Sequence, residues 1–217
     1  MRFKNCEGYA PREPQKAGWH SPYDAATDDY GDHRMTTTHL DPIRQRIRSL
    51  DIDLPPSPWK KIGAVAVGGL RSIGFDRDSE MLLIVSSMGR GVIDCCDCAK
   101  VARDEAEYYA GETYLEAEGI GQLEGKTIRM AGLTGGGLPN VTQDGWMLEI
   151  VTLDWPEHDV LLAEPYTTIY DSLYGKPSRF KKIARESELR AYGFSYTGKS
   201  LVIATSSEIV VYGRENK

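Results

Sequence analysis

The most unusual local sequence is the glycine-rich segment "AGLTGGGLPNVTQDGW" at residues 131–146. Its three consecutive glycines, Gly135, Gly136 and Gly137, permit backbone angles closed to other residues and allow N–H groups to converge on an anion. A P-loop would need a Lys-Ser/Thr pair followed by a helix, and neither is present. An esterase-type oxyanion loop would need a Gly-x-Ser-x-Gly elbow, which "SSMGRG" does not supply. We therefore expect a sharply bent surface loop.

The alternative for this segment is a binding loop, with Asn140 and Trp146 as its contact residues. An enzymatic version of that alternative is a hydrolase whose site lies near residues 134–137 and uses His158 with an aspartate. The order of residues permits a Ser-His-Asp arrangement, but nothing in the sequence singles out a nucleophile. Catalytic residues are therefore left unassigned.

Cysteines are the second set of residues that could carry chemistry. Three of the four, Cys95, Cys96 and Cys98, lie within the run "CCDC", a poor layout for a disulfide framework. Zinc usually takes four ligands in paired spacings, and no second cysteine pair exists. We expect small buried cysteines at a strand end, no metal and no cofactor, in a reducing cytoplasm.

A third candidate is the acidic segment "DEAEYYAGETYLEAEG" at residues 104–119, which contains Tyr108, Tyr109 and Tyr114. Its composition is typical of a solvated loop with a turn or two of helix. Tyrosines among carboxylates also suit a protein interface, because tyrosine offers rigid contact area with one polar tip. On the second interpretation these three tyrosines bind a protein partner.

Short apolar runs recur between turn signals from Trp59 onward and predict about eight to ten strands. The predicted strands are 62–70, 81–87, 89–96, 126–133, 146–153 and 159–164, followed by the strands of a C-terminal repeat. The segment "SRFKKIA" at 178–184 is instead predicted to be helical. This pattern indicates a mainly β, antiparallel fold.

Three regions divide the chain. Residues 1–34 bury too little apolar surface to offset backbone ordering and are predicted to be a flexible tail that contributes little to folding. Residues 35–58 are predicted to form a short helix, capped by Asp41 with Pro42 at its first position, and a Pro-rich linker. Residues 59–217 are predicted to form a single β-rich domain.

The clearest long-range pattern is a repeat: "LRSIGFDRDSEMLLIVSSMGRGVID" from Leu70 returns 119 residues later as "LRAYGFSYTGKSLVIATSSEIVVY" from Leu189. Identical residues coincide without a gap at positions that include Leu70 with Leu189 and Phe75 with Phe194. Each copy reads as a strand ending in Gly-Phe, a polar turn, an apolar strand and a third strand. We expect both phenylalanines to be core residues at equivalent places.

The second copy resembles the inner strands of a WD40-type β-propeller blade, with Ser195 and Gly198 matching the Ser-x-x-Gly turn of such blades. Neither copy ends in Trp-Asp, and the spacing exceeds the ~40–45 residues between WD40 repeats. The layout "GFD…SSMGRGVID…GGGLP…DGW" is also similar to that of bacterial proteins of unknown activity. The resemblance implies either a propeller-like arrangement or a sandwich of two related β units.

The chain has 217 residues and a formal charge of −6, which disfavours nucleic-acid binding. No apolar run approaches the ~20 residues of a membrane span, and the N-terminus lacks a signal-peptide core. We therefore expect a cytoplasmic, non-enzymatic protein-binding module, of which a bacterial toxin-immunity or inhibitor protein is one possible kind. The alternatives are the hydrolase described above and a structural subunit of a larger assembly.

Overall fold

The computed structural model of the chain describes residues 38–105 and 115–214. These described residues form one compact unit. The described residues are mainly antiparallel β-strands with one short α-helix, which confirms the predicted fold class. Within these residues no helix combines the length and the apolar composition needed to cross a membrane.

The helix α1 spans Asp41–Ser49, and 3-10 turns lie at Thr38–Leu40, Gly121–Leu123 and Asp171–Tyr174. The strands are β1 (Lys60–Ala66), β2 (Leu70–Phe75), β3 (Met81–Ser86), β4 (Gly89–Asp94), β5 (Ala99–Asp104), β6 (Glu116–Glu118), β7 (Thr127–Arg129), β8 (Ala131–Gly132), β9 (Met147–Asp154), β10 (Glu157–Ala163), β11 (Phe180–Glu186), β12 (Leu189–Phe194), β13 (Ser200–Thr205) and β14 (Glu208–Gly213).

These strands form three larger sheets and one hairpin. The strand orders are β5-β4-β3-β2-β8, β1-β14-β13-β12 and β11-β10-β9, and β6 pairs with β7 alone. Most neighbours are consecutive in the chain and antiparallel, as expected for strands joined by short turns. The exceptions are β8, which pairs with β2, and β1, which pairs with β14 from the far end of the domain.

The repeat seen in the sequence is a repeat of structure. Strands β2, β3 and β4 pair in the same register as β12, β13 and β14, with every partner displaced by the same 119 positions. The match includes a one-residue bulge, at Arg71 in β2 and at Arg190 in β12. Because register fixes which side chains reach each face, both copies bury equivalent residues.

We call β2–β5 the first unit, and β12–β14 together with β1 the second unit. Each unit has a fourth strand, and the two fourth strands come from different parts of the chain. In the first unit β5 follows β4 directly, whereas in the second unit β1 takes the equivalent place beside β14. Both strands carry a bulge at the same register position, at Val101 in β5 and at Ile62 in β1. The second unit is therefore completed by a strand that precedes the first unit in sequence.

The three large sheets stack face to face. In β13, Val202 and Ala204 pack against the first unit, and Leu201 and Ile203 pack against the β9–β11 sheet. The outer face of the first unit is covered by the β6–β7 hairpin, and the outer face of β9–β11 is covered by α1. The segments Leu82–Val85 of β3, Val160–Ala163 of β10 and Leu201–Ala204 of β13 are entirely apolar because each is buried on both faces.

In the described residues the stacked sheets do not close into a ring, because the β6–β7 hairpin covers one end of the stack and α1 covers the other. The fold is an open stack of sheets, and the likeness of the repeated units to WD40 blades remains a prediction.

Two local predictions differ from the structure. The segment predicted as helical, "SRFKKIA", lies largely in β11, where a bulge at Ile183 separates the partners of Val160 and Leu161. The bulge shifts the strand's alternation by one residue, so that Phe180, Ile183 and Ala184 acquire a helix-like spacing. Asp41 is the first residue of α1 and not its cap; Leu40 holds the cap position without a side-chain hydrogen bond.

Helix α1 belongs to the packed structure, although its segment was predicted to lead into a linker. Ile43 and Ile47 are buried against the β9–β11 sheet. After the helix, the Asp53 N–H donates to the Lys182 carbonyl of β11 at 2.9 Å. The prolines that follow lead directly into Trp59, which is buried.

Candidate functional site

The glycine loop is a tight backbone turn. Gly132 and Gly135 exchange two N–H to carbonyl hydrogen bonds, at 2.9 and 3.0 Å. Gly135 and Gly136 have φ angles of 110° and 82°, so the expected left-handed backbone is present at two of the three glycines. Such angles favour glycine because a β-carbon would strain the backbone.

Close packing explains the middle glycine. A β-carbon on Gly136 would lie 2.2 Å from the Met130 carbonyl oxygen, whereas one on Gly135 or Gly137 would meet nothing within 4 Å. The loop therefore folds back on the chain that precedes it, and its geometry accounts for Gly135 and Gly136 without a ligand.

The two contact residues predicted beside this loop have different environments. Trp146 is buried between the second unit and the β9–β11 sheet, and its ring meets Trp59 edge-on at 6.1 Å. Its backbone N–H donates to Thr142 Oγ1 at 2.9 Å, which closes the turn before β9. Trp146 is thus a core residue. Asn140 is exposed, and its carbonyl accepts from the Leu148 N–H.

The other predicted residues do not join that loop. Tyr108, Tyr109 and Tyr114 lie outside the described residues. His158 is in β10, where its Nδ1 lies 2.7 Å from Thr152 Oγ1. Ala163, at the other end of β10, pairs with Met147, so about 17 Å of strand separates His158 from the residue after Trp146.

The cysteine cluster occupies the turn between β4 and β5. Burial, with smaller contributions from Glu80 and neighbouring groups, raises the pKa of the Cys95 thiol well above its ordinary range. Burial and a hydrogen bond with Asp94 raise the pKa of Cys96 to about 11. Among the described residues, no three His, Cys, Asp or Glu side chains form a group that would hold a metal ion. These thiols are protonated at neutral pH and are weak nucleophiles.

The surface best organised for binding is the connection between β10 and β11, residues 164–179, which we call the tyrosine loop. Its base is closed by the Glu164 N–H, which donates to the Arg179 carbonyl at 2.9 Å, and by an Arg179 Nε to Glu164 Oε2 contact at 2.7 Å. Buried Thr167 Oγ1 lies 2.9 Å from the Glu164 carbonyl oxygen and 3.1 Å from the Arg179 carbonyl oxygen, so its single hydroxyl proton is donated to one or shared between the two. The loop therefore has its own hydrogen-bonded frame.

Further contacts hold the middle of the loop. Asp171 accepts from the Thr168 N–H at 2.8 Å and from its hydroxyl at 3.0 Å. Ser178 Oγ donates to the Thr168 carbonyl at 2.7 Å. Ile169 is fully buried beneath the loop in the cluster that α1 also covers. The backbone is thus fixed from within and anchored to the core.

Three tyrosines project from this frame. Tyr166, Tyr170 and Tyr174 are 89%, 44% and 76% exposed. Tyr166 also holds a left-handed backbone angle, φ 59°, which is unfavourable for a bulky side chain and is maintained by the surrounding hydrogen bonds. Aromatic side chains displayed on a rigid backbone are the groups that contribute most to protein interfaces.

The binding tyrosines predicted from the sequence, Tyr108, Tyr109 and Tyr114, belong to a different segment and stay a prediction, because they lie outside the described residues. The tyrosine loop is a further candidate that the sequence analysis did not identify. The sequence of the tyrosine loop, "EPYTTIYDSLYGKP", carries a tyrosine at every fourth position between two prolines. That spacing, in an interval flanked by prolines and a glycine, is the signal that would have identified it.

Comparisons of the chain with protein-family models, with curated proteins and with solved structures find no match.

Proposed function

We propose that this protein is a non-enzymatic protein-binding module whose tyrosine loop is a contact surface. The observation that carries the proposal is the display of Tyr166, Tyr170 and Tyr174 on a loop held by its own hydrogen bonds. A fixed loop loses little conformational entropy on binding, which leaves more of the contact energy as affinity.

The composition of the loop supports a protein as the ligand. Tyrosine combines a large apolar ring with a hydroxyl, and ring burial at the centre of an interface commonly contributes more than 1 kcal/mol per residue. The loop also carries Glu164, Asp171, Lys176 and Arg179, and so contains both signs of charge, as the polar rim of an interface does. A toxin-immunity or inhibitor protein would be one member of this class, and that narrower role remains a prediction.

The rival predictions have less geometric support. A hydrolase at the glycine loop would need His158 and an aspartate nearby, but the recorded contacts of His158 are with Thr152 and the Trp155 ring. The structural-subunit alternative requires the same kind of protein contact and differs only in the permanence of the assembly.

Site-specific crosslinking tests the proposal. A photoreactive phenylalanine analogue replaces Tyr166 or Tyr174 in the full-length chain, expressed in the organism from which the sequence comes. The matched control carries the same analogue at Trp155, which is 82% exposed on the β9–β10 turn. We expect one protein partner of defined mass to crosslink at both tyrosine positions and not at the control.

The purified partner is then titrated against the triple variant Tyr166→Ala, Tyr170→Ala, Tyr174→Ala. We expect at least a tenfold loss of affinity with an unchanged melting temperature, because all three side chains are exposed. Equal crosslinking at Trp155, or an unchanged affinity in the triple variant, would contradict the proposal.

A further inference from the structure

The two fourth strands, β1 and β5, have open outer edges in the part of the chain that the structure describes. The other outer edges of the stacked sheets are crossed by chain segments. The Phe194 N–H of β12 donates to the Pro139 carbonyl, the Leu148 N–H of β9 donates to the Asn140 carbonyl, and the Lys182 carbonyl of β11 accepts from the Asp53 N–H. Within residues 38–105 and 115–214, no such bond reaches Ile62–Ala66 of β1 or Ala99–Arg103 of β5.

A groove runs between these two edges. It has a volume of about 420 Å³ and lies where the end of β1 meets the β4–β5 face of the first unit. Val65 and Val67 line the groove on the β1 side, and Lys100–Arg103 line it on the β5 side. Gly91 lies at its floor: a β-carbon there would meet only the Ala102 carbonyl oxygen, at 3.7 Å. The missing side chain leaves room for another backbone.

The groove presents two cations. Its lining includes Lys100 and Arg103 but no carboxylate, although the whole chain has a net charge of −6. Arg90, which is also in the lining, pairs with Asp104 at 2.6 Å and donates to the Glu118 carbonyl. Arg103 lies 3.4 Å from Glu105 in a pair whose side chains are 60% and 81% exposed, so the pair is weak. Lys100 and Arg103 are exposed and pair with Ile93 and Gly91 across the sheet. Both cations are available to a ligand that lies over the floor.

We propose that this groove is a second binding site, distinct from the tyrosine loop, which takes an extended acidic segment of a partner protein as an added strand beside β1. Backbone hydrogen bonds to the open edge of β1 would provide affinity independent of sequence. Alternate side chains of an added strand point to opposite faces. One set of the ligand's side chains would therefore face β4 and β5, where Lys100 and Arg103 would pair with its carboxylates.

A strand added beside β1 would lie over the residues of β4 and β5 that line the groove. Met88, which is 63% exposed at the edge of the groove, offers an adaptable apolar contact there.

The probe is a short, end-blocked, fluorescein-labelled peptide of alternating Glu and Val, titrated into the full-length protein by fluorescence anisotropy. The matched control peptide alternates Lys and Val. We expect the acidic peptide to bind at least tenfold more tightly, with an affinity that falls as salt is raised. Two further versions carry backbone N-methyl groups on alternate residues, on the Glu positions or on the Val positions. Strand addition requires that one version loses binding and that the other retains it.

Two protein variants test the location. Gly91→Leu fills the floor, and Lys100→Glu with Arg103→Glu reverses the charge; each is expected to weaken the acidic peptide by tenfold or more. Their controls are Gly137→Leu, at a glycine with open space outside the groove, and Arg129→Glu with Lys199→Glu, which change the net charge equally. The control variants are expected to bind as the wild type does, and matching melting temperatures show that all variants are folded.

Equal affinity for the acidic and basic peptides, unchanged binding in both groove variants, or equal binding of the two N-methylated peptides would overturn the proposal. The triple tyrosine variant is included in the same titration and is expected to bind the peptide normally. Failure of the groove proposal is thereby distinguished from failure of the tyrosine-loop proposal.

Discussion

Phe75 and Phe194 occupy the same position in the two four-stranded units: Phe75 pairs with Leu82 as Phe194 pairs with Leu201. Both rings are buried, at 1% and 0% exposure. They face different cores, because the first unit packs its Phe75 face against the second unit, and the second unit packs its Phe194 face against β9–β11. The two units therefore stack in the same orientation.

Replacing either phenylalanine by alanine should lower the free energy of unfolding by about 3–5 kcal/mol. The cost includes lost burial and a cavity that the sheets on both sides cannot fill by relaxing. Urea unfolding of each variant measures it, with Tyr174→Ala as the exposed aromatic control, for which we expect about 0.5 kcal/mol or less. A cost below ~1 kcal/mol at either phenylalanine would show that the two positions are not equivalent in packing.

Alanine variants of the glycine loop test whether its backbone conformation requires glycine. Gly136→Ala places a β-carbon 2.2 Å from the Met130 carbonyl oxygen at a φ of 82°, so it should destabilise the fold by about 2 kcal/mol or more. Gly137→Ala meets no atom within 4 Å and should change stability by about 0.5 kcal/mol or less. Thermal melts of the two variants provide the comparison. Equal melting temperatures would show that the turn shifts to accept the side chain.

The sequence predicts the repeated strands well because their registers and turns are local. In each copy the residue after the Gly-Phe strand closes the turn: the Asp76 N–H donates to the Met81 carbonyl, and the Ser195 N–H donates to the Ser200 carbonyl. Phe75 and Phe194 are buried as expected. What the repeat does not disclose is β1, since its partner β14 lies at the opposite end of the domain and the bulge at Ile62 interrupts its alternation.

The candidate sites were harder to predict. In the binding-loop alternative Trp146 contacts a ligand because it follows a glycine-rich loop, but the chain turns at Thr142 and the indole is buried in the core. The tyrosine loop depends on Ile169, Thr167 and Asp171, which anchor it through contacts that no periodic pattern reveals. The groove depends on two edges that are distant in sequence, so it exists only once the sheets have stacked.

Protonation of Asp144 should lower the stability of the fold at acid pH. Arg214 donates two hydrogen bonds to it, at 2.6 and 2.7 Å, and together with the Thr142 hydroxyl these lower the pKa of Asp144 to about 2 despite partial burial. A lowered pKa means that the folded state holds fewer protons than the unfolded state, whose aspartate titrates near 3.9. The contribution of ionised Asp144 to the free energy of unfolding is therefore present above about pH 4 and is lost as the pH falls towards 2.

Melting temperatures measured from pH 6 to pH 2 check this prediction. Asp144→Asn should melt below the wild type at pH 6, and the difference should shrink as the pH falls to 2. Asp78→Asn, at an exposed aspartate in the β2–β3 turn, is the control and should follow the wild-type curve. A constant difference between Asp144→Asn and wild type across the range would exclude a titrating Asp144–Arg214 pair.

Lys182 and Asp159 form a buried ion pair between β11 and β10. Removing one partner should destabilise the fold strongly, whereas replacing both by apolar residues should change its stability little. Lys182 Nζ lies 3.2 Å from Asp159 Oδ1, without the alignment of a hydrogen bond, and both side chains are 3% exposed. The nearest remaining cation is Arg185, whose Nε lies 3.9 Å from the same oxygen. Lys182→Met would therefore leave a buried carboxylate poorly compensated, at a cost of about 3–5 kcal/mol.

Replacing both residues removes both desolvation penalties. The double variant Lys182→Met, Asp159→Leu should lie within about 1 kcal/mol of the wild type, because a buried ion pair and a well-packed apolar pair often have similar net energies. Urea unfolding of the wild type, the two single variants and the double variant closes a double-mutant cycle, in which we expect a coupling energy above about 2 kcal/mol. Additive effects would mean that water or Arg185 already compensates each charge separately, and that the two residues do not stabilise the β10–β11 pairing as a pair.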